Sequence, residues 1–239
     1  MSSHERVQIK KMYNKYMKIG ICLSGISYGY KDDRNFDHCY PSFNEKILKP
    51  LKHKHEVEVY YTTYDFINSE EKLSNLINAK RKLIIPYDGS NQNNTRVKCL
   101  NLVSEDLDFC ILTRFDLHYL NDFDNFNLDF EKINITSKEG NGYWAHHNYV
   151  GDTFFAWNTK YNEVILKSFE QMSYSNPGHS HNFYTTIRGL VDDEDIHFMS
   201  EEEQASGHKF ASICQRHFVE ANSKNFTIDE EVLKRFNLD

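Results

Sequence analysis

The residue run from Asp108 to His118 reads DFCILTRFDLH, an apolar stretch that ends abruptly in Arg114, Asp116 and His118. In open α/β sheets ligands collect at the carboxyl ends of strands, and this is the composition such an end would have. Asp116 and His118 are two residues apart, so in an extended segment both side chains point to one side. A carboxylate and an imidazole so placed can hold a divalent cation, and a cation can neutralise a diphosphate. The same residues also allow a plainer arrangement, a surface turn closed by an Arg114–Asp116 salt bridge.

Elements that would position these residues can be read on both sides of them. Residues 18–24 (KIGICLS) form a short apolar run ending in Ser24-Gly25, as a buried first strand entering a loop does. A polar loop to about residue 37 and a helix over 43–51 follow. Residues 56–63 (EVEVYYTT) alternate and are rich in strand formers. Asn68 with Glu71 has the form of a capping box, and the helix after it places Leu73, Leu76 and Ile77 on one face. Residues 82–87 give a third strand, 95–103 a helix and 107–113 a fourth strand. The order β-α-β-α-β-α-β predicts a single α/β domain with a mostly parallel central sheet flanked by helices.

The second half is more irregular. Short strands are expected at 132–135, 143–147, 153–157 and 196–199. Helices are expected over 161–172 and 181–190, with a terminal helix opened by Thr227 and Glu230. No linker divides the chain. Its expected organisation is an N-terminal arm (1–16) and one domain (17–239), with a nucleotide-binding half (17–120) and an acceptor-binding half with C-terminal helices (121–239).

The bulk composition narrows the classes. The 239 residues carry a formal net charge of −7, which opposes nucleic-acid binding, where a basic face is needed. Five cysteines without a C-x-x-C pair read as reduced thiols. No apolar run is long enough to span a membrane and no hydrophobic signal opens the chain, so the expected location is cytoplasmic. The sequons at Asn93, Asn134 and Asn225 then carry no meaning. The 17 Phe and 15 Tyr mostly supply packing, with some Tyr free to line a groove for a polar ligand such as a sugar.

Three blocks resemble a family of A-type-fold glycosyltransferases found in bacterial polysaccharide clusters and large DNA viruses. Residues 18–25 (KIGICLSG) are similar to that family's opening strand and nucleotide loop, K-I-A-I-C-L-S-G. Residues 57–63 (VEVYYTT) are similar to a second strand that often reads D-V-F-I-H-T. Residues 90–118 give a polar stretch, a helix and a D-F-x-x-x-x-R-x-D-L strand end. Order and spacing match over about the first 120 residues.

The resemblance implies a hexosyl- or pentosyltransferase using a nucleoside diphosphate sugar, UDP foremost, and a glycan acceptor. Leu23, Ser24, Gly25, Thr63, Arg96, Lys98, Arg114 and Asp116 would contact the donor. Asp116 would open a metal-binding D-x-D motif whose third position is here His118; with a late histidine, His181 or its neighbour His179, these residues would hold Mn²⁺ or Mg²⁺. Asp152, in Gly151-Asp152 before an aromatic strand, would take the acceptor proton, which implies inversion at the anomeric carbon. Gly-Asp also caps turns. Trp144 and Trp157 could stack on rings, with Trp157 better suited to core, and at most one of His146 and His147 can face a site. The alternative from another class is a binding module that keeps the fold without turnover. A nucleotidyltransferase is disfavoured because residues 24–29 lack the basic residue its glycine-rich loop needs.

Overall fold

Apolar residues at Ile19, Ile21 and Leu23, alternating with Gly20, Cys22 and Ser24, give the first strand two buried faces, and a strand buried on both faces must be covered by helices on both. The computed structural model describes residues 16–29, 35–66, 68–87, 92–140, 148–174, 180–200 and 211–213. Within them the elements are β1 (Lys18–Gly25), α1 (Phe36–Phe43), a π-helical segment (Asn44–Leu48), α2 (Lys49–Lys54), β2 (Glu56–Tyr64), α3 (Ser69–Leu76), β3 (Arg81–Ile85), α4 (Gln92–Leu100), β4 (Phe109–Arg114), β5 (Leu117–Tyr119), β6 (Ile133–Ile135), β7 (Phe154–Asn158), α5 (Asn162–Tyr174), α6 (Phe183–Ile187), β8 (Ile196–Phe198) and β9 (Ala211–Ile213).

Seven strands form one mixed, mostly parallel sheet in the order β3-β2-β1-β4-β7-β6-β8, flanked by helices in a single α/β domain. β3, β2, β1 and β4 are parallel. β7 runs antiparallel to both its neighbours, β4 and β6, and β8 is parallel to β6. One face of the sheet packs Ile19, Ile21 and Leu23 against Phe36, Phe43, Ile47 and Leu51 of the helical run 36–54 and Leu73 of α3. The other packs Cys22, Cys110, Leu112 and Trp157 against Cys99 of α4 and Ile165, Phe169 and Met172 of α5. Gly20 lies on that face in close contact with Leu107, whose Cδ1 would have to shift from a Cβ at 2.4 Å.

Several boundaries differ from the sequence reading. The first helical run begins at Phe36 rather than 43 and continues to Lys54. Asn35 caps it, its side chain accepting from Asp37 N–H, and Pro50 falls in the first turn of α2, where a missing N–H is tolerated. The capping box at Asn68 does not form. Asn68 adopts a left-handed backbone (φ 57°) without a side-chain cap, and Ser69 Oγ instead accepts from Phe66 N–H and donates to the Tyr64 carbonyl. The helix expected over 181–190 is a 3-10 turn (Ser180–Asn182) followed by the short α6. β5 and its antiparallel partner β9 had no counterpart in the sequence reading. The expected strand at 143–147 and the terminal helix at Thr227 lie outside the described residues, as does Asn225. Asn93 and Asn134 are fully buried, so neither sequon is accessible in the folded chain. No described helix is long and apolar enough to cross a membrane.

Candidate functional site

The four parallel strands end on one edge of the sheet. The helical run after β1 covers one face of the sheet and α4, after β3, the other, and in such sheets ligands gather beyond the carboxyl ends of the strands. An open cleft of about 180 Å³ occupies this edge, lined by Ser24, Gly25, Ile26, Tyr64, Tyr87, Gln92, Arg114 and Asp116. Strand order fixes their sequence across it: Tyr87 beyond β3, Tyr64 at the end of β2, Ser24 and Gly25 at the end of β1, Arg114 and Asp116 at β4. At about 4.8 Å per strand, the strand bearing Arg114 lies roughly 10 Å from the one ending in Tyr64 and roughly 14 Å from the one leading to Tyr87. Gly25 holds φ +106°, a conformation open to glycine, as the chain leaves β1. Tyr64, Phe66 and Tyr87 pack their rings together, with Tyr64 and Tyr87 edge-to-face at 5.1 Å, and Tyr87 is half exposed at 52%.

At the charged side the Arg114–Asp116 salt bridge that the sequence allowed is present, and it is part of a larger buried network. The chain turns at 115–116, so strand alternation does not run from Asp116 to His118. Arg114 donates from Nε to Asp116 Oδ1 (2.8 Å) and from Nη2 to Asp116 Oδ2 (2.7 Å), a bidentate pair. Its Nη1 reaches both oxygens of Asp152 at 3.2 and 3.1 Å. Arg96 is 1% exposed; it donates from Nη2 to the Asp152 carbonyl (2.6 Å), and its guanidinium lies 5.4 Å from the ring centres of Phe155 and Phe169. With its amide oxygen turned toward them, Gln92 accepts from Arg96 Nη2 (3.0 Å) and Arg114 Nε (3.3 Å).

Beyond Asp152 stand His181 and the buried Glu139. His181 Nδ1 donates to the Val150 carbonyl (2.7 Å) and lies 3.5 Å from Glu139 Oε1, while its Nε2 is 3.9 Å from Asp152 Oδ1. The turn carrying His181 is pinned to α4 by Ser180 Oγ donating to Asn93 Oδ1 at 2.7 Å. Gly151 N–H donates to the Ser137 carbonyl, so Asp152 is held from two sides.

These placements set the charge states. Burial works to raise the Asp152 pKa, but Arg114, Arg96 and His181 outweigh it and hold the carboxyl below its usual range. Burial pulls Arg114 down, yet Asp116 and Asp152 leave it above the ordinary arginine value. Arg96 is pushed down to about 10, chiefly by burial, and so stays cationic at neutral pH. Burial lowers His181, but Glu139 and Asp152 raise it past that, which favours the imidazolium.

Of the donor contacts expected from sequence, Ser24, Gly25, Arg114 and Asp116 line the cleft and four do not. Leu23 is core. Thr63 is buried beneath the loop after β1, where its Oγ1 accepts from Ser27 N–H (3.2 Å) and bonds Ser27 Oγ (2.8 Å). Arg96 supports the charged side from behind, and Lys98, two residues along the helix, faces away from it. Trp157 is core, its Nε1 donating to Asn162 Oδ1. Trp144, His146, His147 and His179 lie outside the described residues. Tyr64, Tyr87 and Gln92 escaped the sequence reading, although Tyr64 and Tyr87 follow strands whose carboxyl ends are where ligands gather. Glu139 gave no local signal.

Among the described residues, those expected to hold a divalent cation do not fit one as arranged. Both oxygens of Asp116 are taken by Arg114. His118 lies on β5, opposite in alternation to the buried Leu117 and Tyr119, and His181 belongs with Asp152 and Glu139. Seating a cation on Asp116 would strip Arg114 of its bidentate partner, and breaking such a buried pair costs about 3–5 kcal/mol. Compared with family models and with curated proteins, the chain matches none.

Proposed function

We propose that this protein is a cytoplasmic glycosyltransferase that moves a monosaccharide from a nucleoside diphosphate sugar, UDP foremost, to a carbohydrate acceptor. One observation carries the reading: a single cleft offers tyrosine rings on one side and an arginine on the other, about two to three strand spacings apart. An aromatic base suits the first and a diphosphate the second. In the reaction the acceptor oxygen bonds to the anomeric carbon, the bond from that carbon to the diphosphate breaks, and the nucleoside diphosphate leaves. Arg114 is placed to meet the charge that develops on the leaving oxygens. Asp116 is the carboxylate that lines the cleft, and as the diphosphate draws Arg114 from it, it takes the proton-accepting role the resemblance gave to Asp152. Asp152, buried and held by two guanidinium groups, is a positioning residue.

The test is release of nucleoside diphosphate from a panel of UDP-, GDP- and dTDP-sugars, with simple glycans added as acceptors. Release from one donor, accelerated by an acceptor, is the expected result. The lock on Asp152 favours a second reading, a nucleotide-sugar-binding module without turnover. Saturable binding of a donor with no release under any acceptor would establish that module, and absence of both would overturn the nucleotide reading.

A further inference from the structure

We infer that Arg114, backed by Arg96, takes the place of a divalent cation in this cleft, so that nucleoside diphosphate binding is independent of metal. The inference rests on the nucleotide reading above and concerns what meets the diphosphate. Four observations converge on it. Among the described residues, Arg114 is the cationic side chain lining the cleft. Its bonds to Asp116 and Asp152 employ Nε–H, both Nη1–H groups and one Nη2–H, which among the described residues leaves one of its five N–H donors for a ligand. Asp116, the residue a metal would need, has both oxygens on that same guanidinium. Arg96 adds a second charge directly behind, fully buried and with its Nε lacking a hydrogen-bond partner, so a second positive charge is fixed at this end of the cleft.

Asp116, Asp152 and the two arginines cancel, two charges against two. Among these described groups no net charge meets an entering anion, and Asp116 is the one that opposes it. Removing that carboxylate has opposite consequences under the two mechanisms. Where Asp116 anchors a metal, its loss weakens diphosphate binding. Where Asp116 competes with the ligand for Arg114, its loss leaves binding unchanged or tightens it.

The experiment is calorimetric titration of the full chain with UDP and with GDP, in EDTA and in Mn²⁺, together with Mn²⁺ alone. The expected result is a Kd equal within about twofold in the two conditions and no Mn²⁺ binding without nucleotide. Asp116→Asn is expected to bind as tightly or more tightly. Arg114→Gln is expected to weaken binding about tenfold or more, as loss of a charge-assisted bond to a phosphate does. Arg114→Lys serves as the control that retains charge should the Gln variant not fold. A Kd that tightens about tenfold in Mn²⁺, with the gain lost in Asp116→Asn, would overturn the inference while leaving the nucleotide reading intact. No binding of either nucleotide in either condition would overturn both.

Discussion

Asp152 holds two guanidinium groups, with Arg114 on its carboxylate and Arg96 on its carbonyl and, at 3.8 Å, its Oδ2. Such a carboxylate is costly to remove because its partners stay behind, charged and buried. Asp152→Ala is expected to lower stability by about 3–5 kcal/mol in urea unfolding, far more than loss of a solvent-facing base would. His181 gives a second outcome of the same kind. Its folded pKa is raised above 6.5, so its stabilising contribution is complete below that value and lost as pH rises through the raised one. The Tm of the wild type should therefore fall as pH rises from about 6.5 through the raised value, and His181→Gln should flatten that fall. Asp152 acts in the other direction. Its depressed pKa contributes stability above 3.8 that is lost as pH falls through the folded value. The Arg114–Asp116 contact was legible in sequence because a charge stands where an apolar strand ends. The Arg96–Asp152 contact was not, since 56 residues separate the two and neither carries a local mark of the other.

At the scale of elements, β5 is three residues long, yet it positions the turn bearing Asp116. It is secured from two directions. Tyr119 N–H donates to Ser42 Oγ on α1 (3.0 Å), while Tyr119 Oη bonds Thr113 Oγ1 on β4 (2.6 Å). Ser42 Oγ in turn donates to the Cys39 carbonyl. Ser42→Ala leaves the buried Tyr119 amide without its acceptor, and a loss of about 1–3 kcal/mol is expected in thermal or chemical unfolding. Strands β1 and β4 were readable because burial on both faces writes a continuous apolar run, as in residues 18–24 and 107–113, and β2 because its residues alternate. The β5–β9 pair was unreadable: three residues are too few to show a period, and the pairing Leu117↔Ile213 spans most of the second half.

At the scale of the molecule, the charged network is a seam. Arg96 and Arg114 come from the first 120 residues; Asp152, His181 and Glu139 come from the rest. The sheet crosses the same seam, because β4 lies between β1 and β7. One continuous sheet and one ion network thus join the two halves that the sequence suggested.

A ribosome makes these partners in a fixed order. Both arginines and β4 leave the tunnel before Asp152 and β7, so for about 40 residues of synthesis the nascent sheet carries an open edge beside two guanidinium groups with no acid from the second half to receive them. Ribosome-stalled chains ending just before Asp152 should remain protease-sensitive. Those extended far enough for Asn158 to clear the tunnel should become resistant, in a single step.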